Sequence, residues 1–339
     1  MEQNRVQLPQ GVRDLGPGEA AAHRELLELW GRSFERRGYR EVVPPTFEFY
    51  STFACGFAGR EGERVFRFFD RQGRILALRS DFTAQVARLA ATKLAEEVRP
   101  LRLWYGGPVF RLQEARNGYQ TEFTQAGVEL IGAAGAAADA EVVALALTAL
   151  EGAGLAGTRV SLGHTGFLRA LLADLEMNAE ERAAVVAELT RRNLVGVGRI
   201  LSELQVSEGC KEALCRLPQL FGGREVLAAG RQVAGENKAA QTALSDLAAI
   251  AACLTAQGVA RGVTFDLGLV RELDYYTGMV FEAYVPGFGY PLGGGGRYDN
   301  LLERFGAAEP ATGFALGVER VLAARERQRS GDQRLQVLN

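Results

Sequence analysis

The chain has 339 residues, of which 47% are hydrophobic and 24% are charged, a composition that predicts a folded globular protein with one large or two modest domains. Its 39 Lys and Arg residues are balanced by 41 Asp and Glu residues, so the basic excess typical of nucleic-acid-binding proteins is absent. Four cysteines without CxxC spacing and only two histidines disfavour a zinc site and a disulfide framework.

Residues 8–17, which contain several Pro and Gly residues, predict an N-terminal arm, and a helix follows it. No apolar leader precedes that helix, and no segment approaches the roughly 20 consecutive apolar residues of a membrane span, so we expect a cytoplasmic protein with no membrane partner. The helix has an apolar face that consists of Ala22, Leu26, Leu27, Trp30 and Phe34. Gly38 can end the helix, and His23 lies on the polar face, where a solvated side chain is favoured over a catalytic one.

Short strands and a second helix follow. Residues 39–43 predict a strand that Pro44 and Pro45 stop, and residues 65–70 can pair with residues 75–79 around a turn at Gly73. Ser80 or Asp81 can then cap a helix. Asp81 therefore has two interpretations, a helix cap and a ligand-binding carboxylate.

Residues 101–105 and 108–111 predict strand segments, and the segment EFTQAGVELI, residues 122–131, predicts another strand. Because side chains alternate along a strand, its apolar inward face would consist of Thr124, Ala126, Val128 and Leu130. The opposite face places Gln125 and Glu129 on either side of Gly127 and leaves a polar notch over the sheet. A carboxylate there needs a partner, because burying it unpaired is costly, and either a structural ion pair or a ligand would serve.

The next part of the chain changes character. Residues 136–150 predict a helix, residues 159–163 a strand with His164 in a structural role at its end, and residues 166–175 another helix. From residue 177 to 257 the periodicity is purely helical, and strand character returns at 263–267. We therefore interpret residues 176–257 as a small helical insertion into a core formed by residues 1–175 and 258–330.

The segment LVRELDYYTGMVFEAYVPGFGYPLGGGGRY, residues 269–298, carries the densest set of polar and aromatic residues. Arg271 and the pair Tyr275 and Tyr276 precede a strand at 280–285, and four glycines at 293–296 follow it. Four glycines weaken a strand unless something lies close against its backbone, which favours a ligand there. No Gly-Lys-Ser/Thr follows them, so the segment suits a small planar polar ligand better than a nucleotide P-loop.

Mixed strands and helices without βαβ regularity indicate an α+β fold. The segments LVRELDYYTGMVFE, GGGGRYDNLL, LWYGGPVFR, FTQAGVELIG and GFALGVER resemble the catalytic core of class II histidyl-tRNA synthetases from about Gln10 to Arg325. The resemblance implies a mostly antiparallel sheet flanked by helices, and a pocket for histidine.

The resemblance also implies roles for individual residues. Asp81, Thr83 and Gln125 would receive the α-ammonium group of histidine, Glu129 and Tyr276 the imidazole, and Arg271 the carboxylate. Arg111 and Tyr275 complete the expected histidine-binding set, and the resemblance implies no metal ion. Asp81 stands where the synthetases commonly have Glu, so its carboxyl group reaches less far.

The sequence differs from the synthetases in the regions that bind ATP and tRNA. Gln113, Glu114, Tyr119 and Thr121 stand where the synthetases have an adenine-binding Glu and an Arg-rich loop, so the corresponding loop is net acidic and would repel phosphate. The chain stops 19 residues after Arg320, and we expect no anticodon-binding domain.

A chain that has the histidine pocket but lacks the ATP-binding loop and the anticodon-binding domain of the synthetases resembles the regulatory subunits of ATP phosphoribosyltransferase, the first enzyme of histidine biosynthesis. The resemblance implies a non-catalytic protein without a cofactor, which binds histidine as allosteric effector and pairs with a short-form catalytic subunit. It also implies a homodimer in which the N-terminal arm and first helix help form the interface.

Two alternatives stay open from the sequence. One is an enzyme that activates histidine as its adenylate and passes it to another carrier, which Arg111 and Arg320 favour and Gln113 and Thr121 disfavour. The other is a stand-alone histidine sensor with a different target.

Overall fold

The computed structural model describes residues 7–54, 62, 64–112, 120–173, 175, 177–204, 208–269 and 275–337. Within these residues a nine-stranded sheet forms the centre of the fold. In spatial order its strands are β1 (Arg40–Glu41), β5 (Leu101–Phe110), β6 (Glu122–Ile131), β12 (Ala311–Gly317), β11 (Gly293–Arg297), β10 (Met279–Tyr284), β7 (Arg159–His164), β9 (Val263–Asp266) and β8 (Phe221–Gly222). Neighbours are antiparallel except for the parallel pairs β1–β5 and β7–β9. This mixed but mostly antiparallel sheet confirms the predicted α+β fold.

A smaller sheet and the helices complete the architecture. The small sheet has the order β2 (Phe47–Phe49), β4 (Ile75–Leu78), β3 (Arg67–Phe69). The helices are α1 (Pro17–Glu35), α2 (Tyr50–Ala54), α3 (Thr83–Ala91), α4 (Ala136–Gly152), α5 (Thr165–Ala173), α6 (Ala179–Thr190), α7 (Leu194–Glu203), α8 (Glu208–Arg216), α9 (Glu225–Ala234), α10 (Lys238–Ala256) and α11 (Val318–Val337).

The two faces of β6 enter two different hydrophobic clusters, as the alternation of its side chains predicts. Ala126, Val128 and Leu130 join the larger cluster, which includes α1 and α4. Ile131 joins the smaller cluster, which includes α3, Tyr105 and Tyr298. The polar residues of β6 therefore lie over the smaller cluster, and this cluster contains the candidate site.

Several predicted elements are confirmed with changed bounds. The hairpin of β3 and β4 forms as expected, whereas the two segments predicted at 101–105 and 108–111 are one continuous strand, β5. The strand predicted at 39–43 is reduced to the two residues of β1. The structure begins α3 at Thr83 with Phe82 at the N-cap, one residue after Asp81, but the Asp81 carboxylate hydrogen-bonds the backbone amides of Thr83 and Ala84 and so serves as the predicted cap.

The segment 176–257 is not purely helical, contrary to our prediction. Phe221 and Gly222 form β8, which pairs with β9 at the edge of the large sheet. The sequence did not predict β8 because a two-residue strand has no periodicity of its own and forms only by pairing with a distant strand. Apolar residues of this segment and of the remaining chain share the larger cluster, and the division into core and insertion stays a prediction.

Helix α10 is the one helix among the described residues that is long and apolar enough to cross a membrane by length and composition. It packs against α4, α5, α9 and β7, and seven of its residues are buried. Because the core helix of a globular protein passes the same test, its apolar character is accounted for by this packing.

The glycines of β11 make room for protein, where we expected a ligand. A Cβ on Gly293 or Gly295 would overlap backbone atoms of β12, and a Cβ on Gly296 would lie 2.4 Å from the Met279 carbonyl oxygen of β10 and 2.9 Å from the Tyr276 ring. Close strand packing therefore explains these three glycines, and the ligand interpretation of the glycine run is wrong for them.

Both histidines are buried, and the prediction of a solvated His23 is wrong. His23 lies on α1, and its Nδ1 atom is 4.0 Å from Oε1 of Glu319 on α11, because α11 covers this side of α1. His164 ends β7, where its Nδ1 accepts a hydrogen bond from the Gly166 amide and its Nε2 lies 3.5 Å from Asp246.

Candidate functional site

Glu129 is the centre of the candidate site and is 1% exposed. Its Oε1 atom accepts hydrogen bonds from Thr83 Oγ1 at 2.9 Å and from Tyr105 Oη at 3.2 Å, and its Oε2 atom accepts one from Tyr298 Oη. These three hydroxyl groups come from α3, β5 and the residue that follows β11. A carboxylate offers about four acceptor positions, so three donors leave capacity for one more.

Glycine at two positions makes this arrangement possible. A Cβ on Gly313 of β12 would overlap Oε2 of Glu129, and a Cβ on Gly127 would lie 2.6 Å from Oη of Tyr105. The notch predicted at Gly127 therefore exists, and the Tyr105 hydroxyl fills it.

Burial raises the pKa of Glu129 to about 8, against the opposing effect of the Tyr298, Thr83 and Tyr105 hydroxyls. Asp81 raises it further through charge repulsion, so this carboxyl lies within electrostatic range. Near neutral pH the protonated form of Glu129 therefore predominates, and a hydrogen-bond donor or a cation in the site would favour the carboxylate. As a carboxylate it accepts from a ring N–H, and as an acid it donates to a ring nitrogen.

The buried polar atoms that lack a hydrogen-bond partner in the described part of the chain include two acceptors of the predicted histidine-binding set. Asp81 Oδ1 and Gln125 Oε1 are buried, and neither accepts a hydrogen bond from a described residue. Burial raises the pKa of Asp81, while the Arg111 guanidinium and the backbone amides of Ala84 and Thr83 oppose that shift. Unpaired buried polar atoms are costly, and a pair of acceptors calls for a ligand that brings N–H donors.

Tyrosines form the wall of the site. The rings of Tyr275 and Tyr276 have centroids 4.8 Å apart, and Tyr275 meets Tyr298 edge to face at 5.7 Å. Burial raises the pKa of Tyr275, and the electrostatic influence of Tyr276, Asp81 and Glu129 adds to the shift. The aromatic pair of the sequence motif therefore packs beside the carboxyl groups.

Arg111 directly follows β5, and its positive charge opposes the rise in the pKa of Asp81 that burial causes. Its Nε atom donates to the Ser80 carbonyl at 2.8 Å, and its guanidinium lies 5.3 Å from the centroid of the Phe123 ring. Phe123 shares a face of β6 with Gln125 and Glu129, so the guanidinium is held on the same side of the sheet.

Seven of the eight predicted histidine-binding residues are described by the structure, and Arg271 lies outside the described residues. Glu129, Asp81, Thr83, Tyr275 and Tyr276 come together around the smaller cluster. Arg111 and Gln125 lie toward the outer end of β5 and β6. The role of all eight residues toward histidine stays a prediction.

Sequence reasoning missed Tyr105 and Tyr298, both of which donate to Glu129. Tyr298 was present in the glycine-rich motif, and a polar residue directly after a strand could have been included. Tyr105 is 24 residues from Glu129 in sequence, and only the β5–β6 pairing, which sets Tyr105 opposite Gly127, brings the two together.

Thr121 and Arg320 are the described residues at positions where the synthetases contact ATP, and both form hydrogen bonds within the protein. Thr121 Oγ1 donates to the Gln10 carbonyl at 3.2 Å, and the Thr121 amide donates to the Gly11 carbonyl at 2.8 Å. Arg320 Nη1 donates to the Pro291 carbonyl at 2.8 Å. Gln113, Glu114 and Tyr119 lie outside the described residues.

Comparison with known proteins agrees with this geometry. The family model described as histidyl-tRNA synthetase matches residues 11–321. A relative from Moorella thermoacetica, named ATP phosphoribosyltransferase regulatory subunit, is 47% identical over 94% of this chain and 82% of its own length. A relative of the same name from Symbiobacterium thermophilum is 46% identical over 96% of this chain and 81% of its own length.

A solved structure from Bacillus halodurans gives the same result. It is described as an ATP phosphoribosyltransferase regulatory subunit/histidyl-tRNA synthetase, and it superimposes with a TM-score of 0.88 at 35% identity, over 96% of this chain and 84% of that one. Fold, family match and relatives agree, and the chain belongs to the histidyl-tRNA synthetase-like family of ATP phosphoribosyltransferase regulatory subunits.

Proposed function

We propose that this chain binds histidine and regulates a separate, short-form ATP phosphoribosyltransferase catalytic subunit, supporting its activity and inhibiting it when histidine is bound. The observation that carries the proposal is the pair of unpaired acceptors, Asp81 Oδ1 and Gln125 Oε1, on the same side of the sheet as Glu129. The chain itself performs no catalysis and needs no cofactor.

The chemistry of the site matches a histidine zwitterion. An α-ammonium group brings N–H donors, which the unpaired oxygens of Asp81 and Gln125 would accept. The imidazole has one N–H donor and one acceptor nitrogen, and Glu129 can partner either according to its protonation. Arg111 supplies a cation on the same side of the sheet for the carboxylate, and charge-assisted bonds of this kind are the stronger ones.

Feedback inhibition places a thermodynamic requirement on the complex. Histidine must have different affinities for the active and inhibited assemblies, because a ligand of equal affinity shifts no equilibrium. If histidine lowers the affinity of the catalytic subunit for one of its ligands, that ligand must lower the affinity for histidine by the same factor. We expect this chain to act as a cytoplasmic homodimer within the larger complex.

We expect titration calorimetry to detect histidine binding and to give phenylalanine an affinity at least about 100-fold lower. A site built around hydrogen bonds leaves its buried polar groups unpaired when a ligand lacks the matching groups, which can cost roughly 10⁴-fold. Imidazolepropionate, which keeps the ring and carboxylate but lacks the ammonium group, should also bind more weakly. Equal affinities for histidine and phenylalanine would exclude the proposed pocket.

We also expect no histidine-dependent exchange of pyrophosphate into ATP. The position occupied by Thr121 carries no cation and bonds to the N-terminal arm, so a positive charge for the triphosphate is missing there. The assay is radiolabelled pyrophosphate exchange with histidine and Mg-ATP, with a histidyl-tRNA synthetase as positive control. Turnover comparable with that control would support the adenylating alternative.

A further inference from the structure

Arg192 is the one non-glycine residue with a positive φ, 54°, among the described residues. It links the C-cap of α6 to Asn193, the N-cap of α7. Glycine or asparagine usually occupies such a left-handed position, because a larger side chain strains the backbone there. Strain of this kind persists when other contacts hold the residue in place.

The side chain of Arg192 supplies those contacts. Its Nη2 atom forms an ion pair with Oδ2 of Asp266, at the end of β9, and Nη1 donates to the Pro218 carbonyl at 3.4 Å. Asp266 is 2% exposed, whereas the Arg192 side chain is 51% exposed. The guanidinium thus reaches from the surface of the helical segment to a buried carboxylate at the edge of the sheet.

Asp266 in turn fixes the tight turn at residues 266–269. Its Oδ1 atom accepts the Gly268 amide at 3.0 Å, and its carbonyl accepts the Leu269 amide at 3.2 Å. A Cβ on Gly268 would lie 3.0 Å from the Leu217 carbonyl, so the turn is packed against the helical segment. A Cβ on Gly163 of β7 would lie 2.9 Å from Leu269 Cβ, so the turn is enclosed from the other side as well.

The turn connects to the candidate site through Leu269. Its side chain packs on the smaller cluster, which contains Tyr275 and Tyr276. We propose that Arg192 is a positioning residue for the histidine site, which acts through Asp266 and the 266–269 turn to hold Leu269 against the smaller cluster, to which the two tyrosines belong. The inference rests on the proposed histidine binding, and it gives the helical segment a role in forming the pocket.

The test compares wild type with Arg192→Gly and Arg192→Lys. Glycine removes the ion pair and also relieves the backbone strain, so the variant is expected to fold. We expect Arg192→Gly to increase hydrogen–deuterium exchange at the backbone amides of Gly268 and Leu269, and to weaken histidine binding, each by roughly 3- to 30-fold. Arg192→Lys keeps a cation within reach of Asp266 and should restore most of both properties.

Arg191→Ala is the matched control, because Arg191 is exposed and pairs with Glu188 on its own helix. Unchanged exchange in Arg192→Gly would overturn the inference, and so would faster exchange with wild-type histidine affinity. If the wild type binds no histidine, the proposed function fails. The exchange measurement, which needs no ligand, then still decides whether Arg192 holds the turn.

Discussion

A complex that carries Glu129→Gln is expected to lose its sensitivity to histidine. In the wild-type complex, phosphoribosyl transfer should fall as histidine is added, and in the variant the half-inhibitory concentration should rise by roughly 10- to 150-fold. This range corresponds to the loss of one hydrogen bond from the imidazole N–H to Glu129 in its carboxylate form, about 1.5–3 kcal/mol. Glutamine keeps the shape of Glu129 and an acceptor oxygen for the Thr83 and Tyr105 hydroxyls, while its amide nitrogen replaces the oxygen that accepts from Tyr298, whose hydroxyl must then accept the hydrogen bond.

The measurement is transfer by the purified catalytic subunit with each form of this chain, expressed as the ratio of rates with and without histidine. Glu303→Gln is the matched control, because Glu303 is an exposed glutamate outside the site. Transfer that is independent of adding this chain would refute the regulatory proposal. A Glu129→Gln complex with wild-type sensitivity would keep the regulatory role and move the histidine site elsewhere.

Glu129 could be found from the sequence because its position follows from local periodicity. Alternation along residues 122–131 separates Val128 and Leu130 from Gln125 and Glu129, and the structure sends these two sets to opposite faces of β6. The tyrosine pair belongs to a motif that directly precedes a strand, and Asp81 precedes a helix that it can cap, so both positions are visible in the local sequence. Such local patterns predict the structure well because the pairing of the strand within the sheet agrees with its own alternation.

The donors to Glu129 could not be found in the same way. Tyr105 and Tyr298 lie on β5 and after β11, and their approach to Glu129 depends on strand order and register across the sheet. The burial of His23 depends in the same way on α11, which follows it by about 300 residues. Arg192 could not be recognised, since its conformation runs against the preference of its residue type.

The glycine run shows how one pattern permits two explanations. Glycines in a strand indicate a close approach, and the sequence cannot say whether a ligand or another strand approaches. In the structure, β12 and the Tyr276 ring lie against the glycines. Arg297 and Tyr298, which directly follow the glycines, have different roles. Tyr298 bonds to Glu129 in the site, whereas Arg297 forms an ion pair with Asp139 on α4.

Arg297→Met is expected to lower the free energy of unfolding by about 3–5 kcal/mol, the range for losing one partner of a buried ion pair. Arg297 is 8% exposed and Asp139 is 4% exposed. Nη2 of Arg297 lies 2.8 Å from Oδ1 of Asp139, and Nε donates to Oδ2 at 3.1 Å. The same guanidinium donates to the carbonyls of Ala133 and Gly135, so it fastens β11 to the start of α4.

The pH dependence of that loss provides a second test. Burial raises the pKa of Asp139 even with Arg297 beside it, and removing Arg297 should raise it further. The folded variant then binds a proton at a pH where the unfolded chain has released it, so its stability falls as pH rises above the unfolded value of 3.8. The free energy of unfolding of Arg297→Met should therefore fall further below that of the wild type at pH 8 than at pH 5.

Denaturant unfolding at both pH values measures these differences, with Arg32→Met as the surface control. Arg32 and Glu28 form an exposed pair on α1, and losing it should cost less than about 1 kcal/mol. The double variant Arg297→Met with Asp139→Leu removes both charges and should recover much of the lost stability, because apolar replacement of a whole buried pair is often neutral. If the double variant were as unstable as Arg297→Met, the lost stability would come from the packing of Arg297 and its contacts with the carbonyls and with Asp299, and the unpaired Asp139 carboxylate would not be its cause.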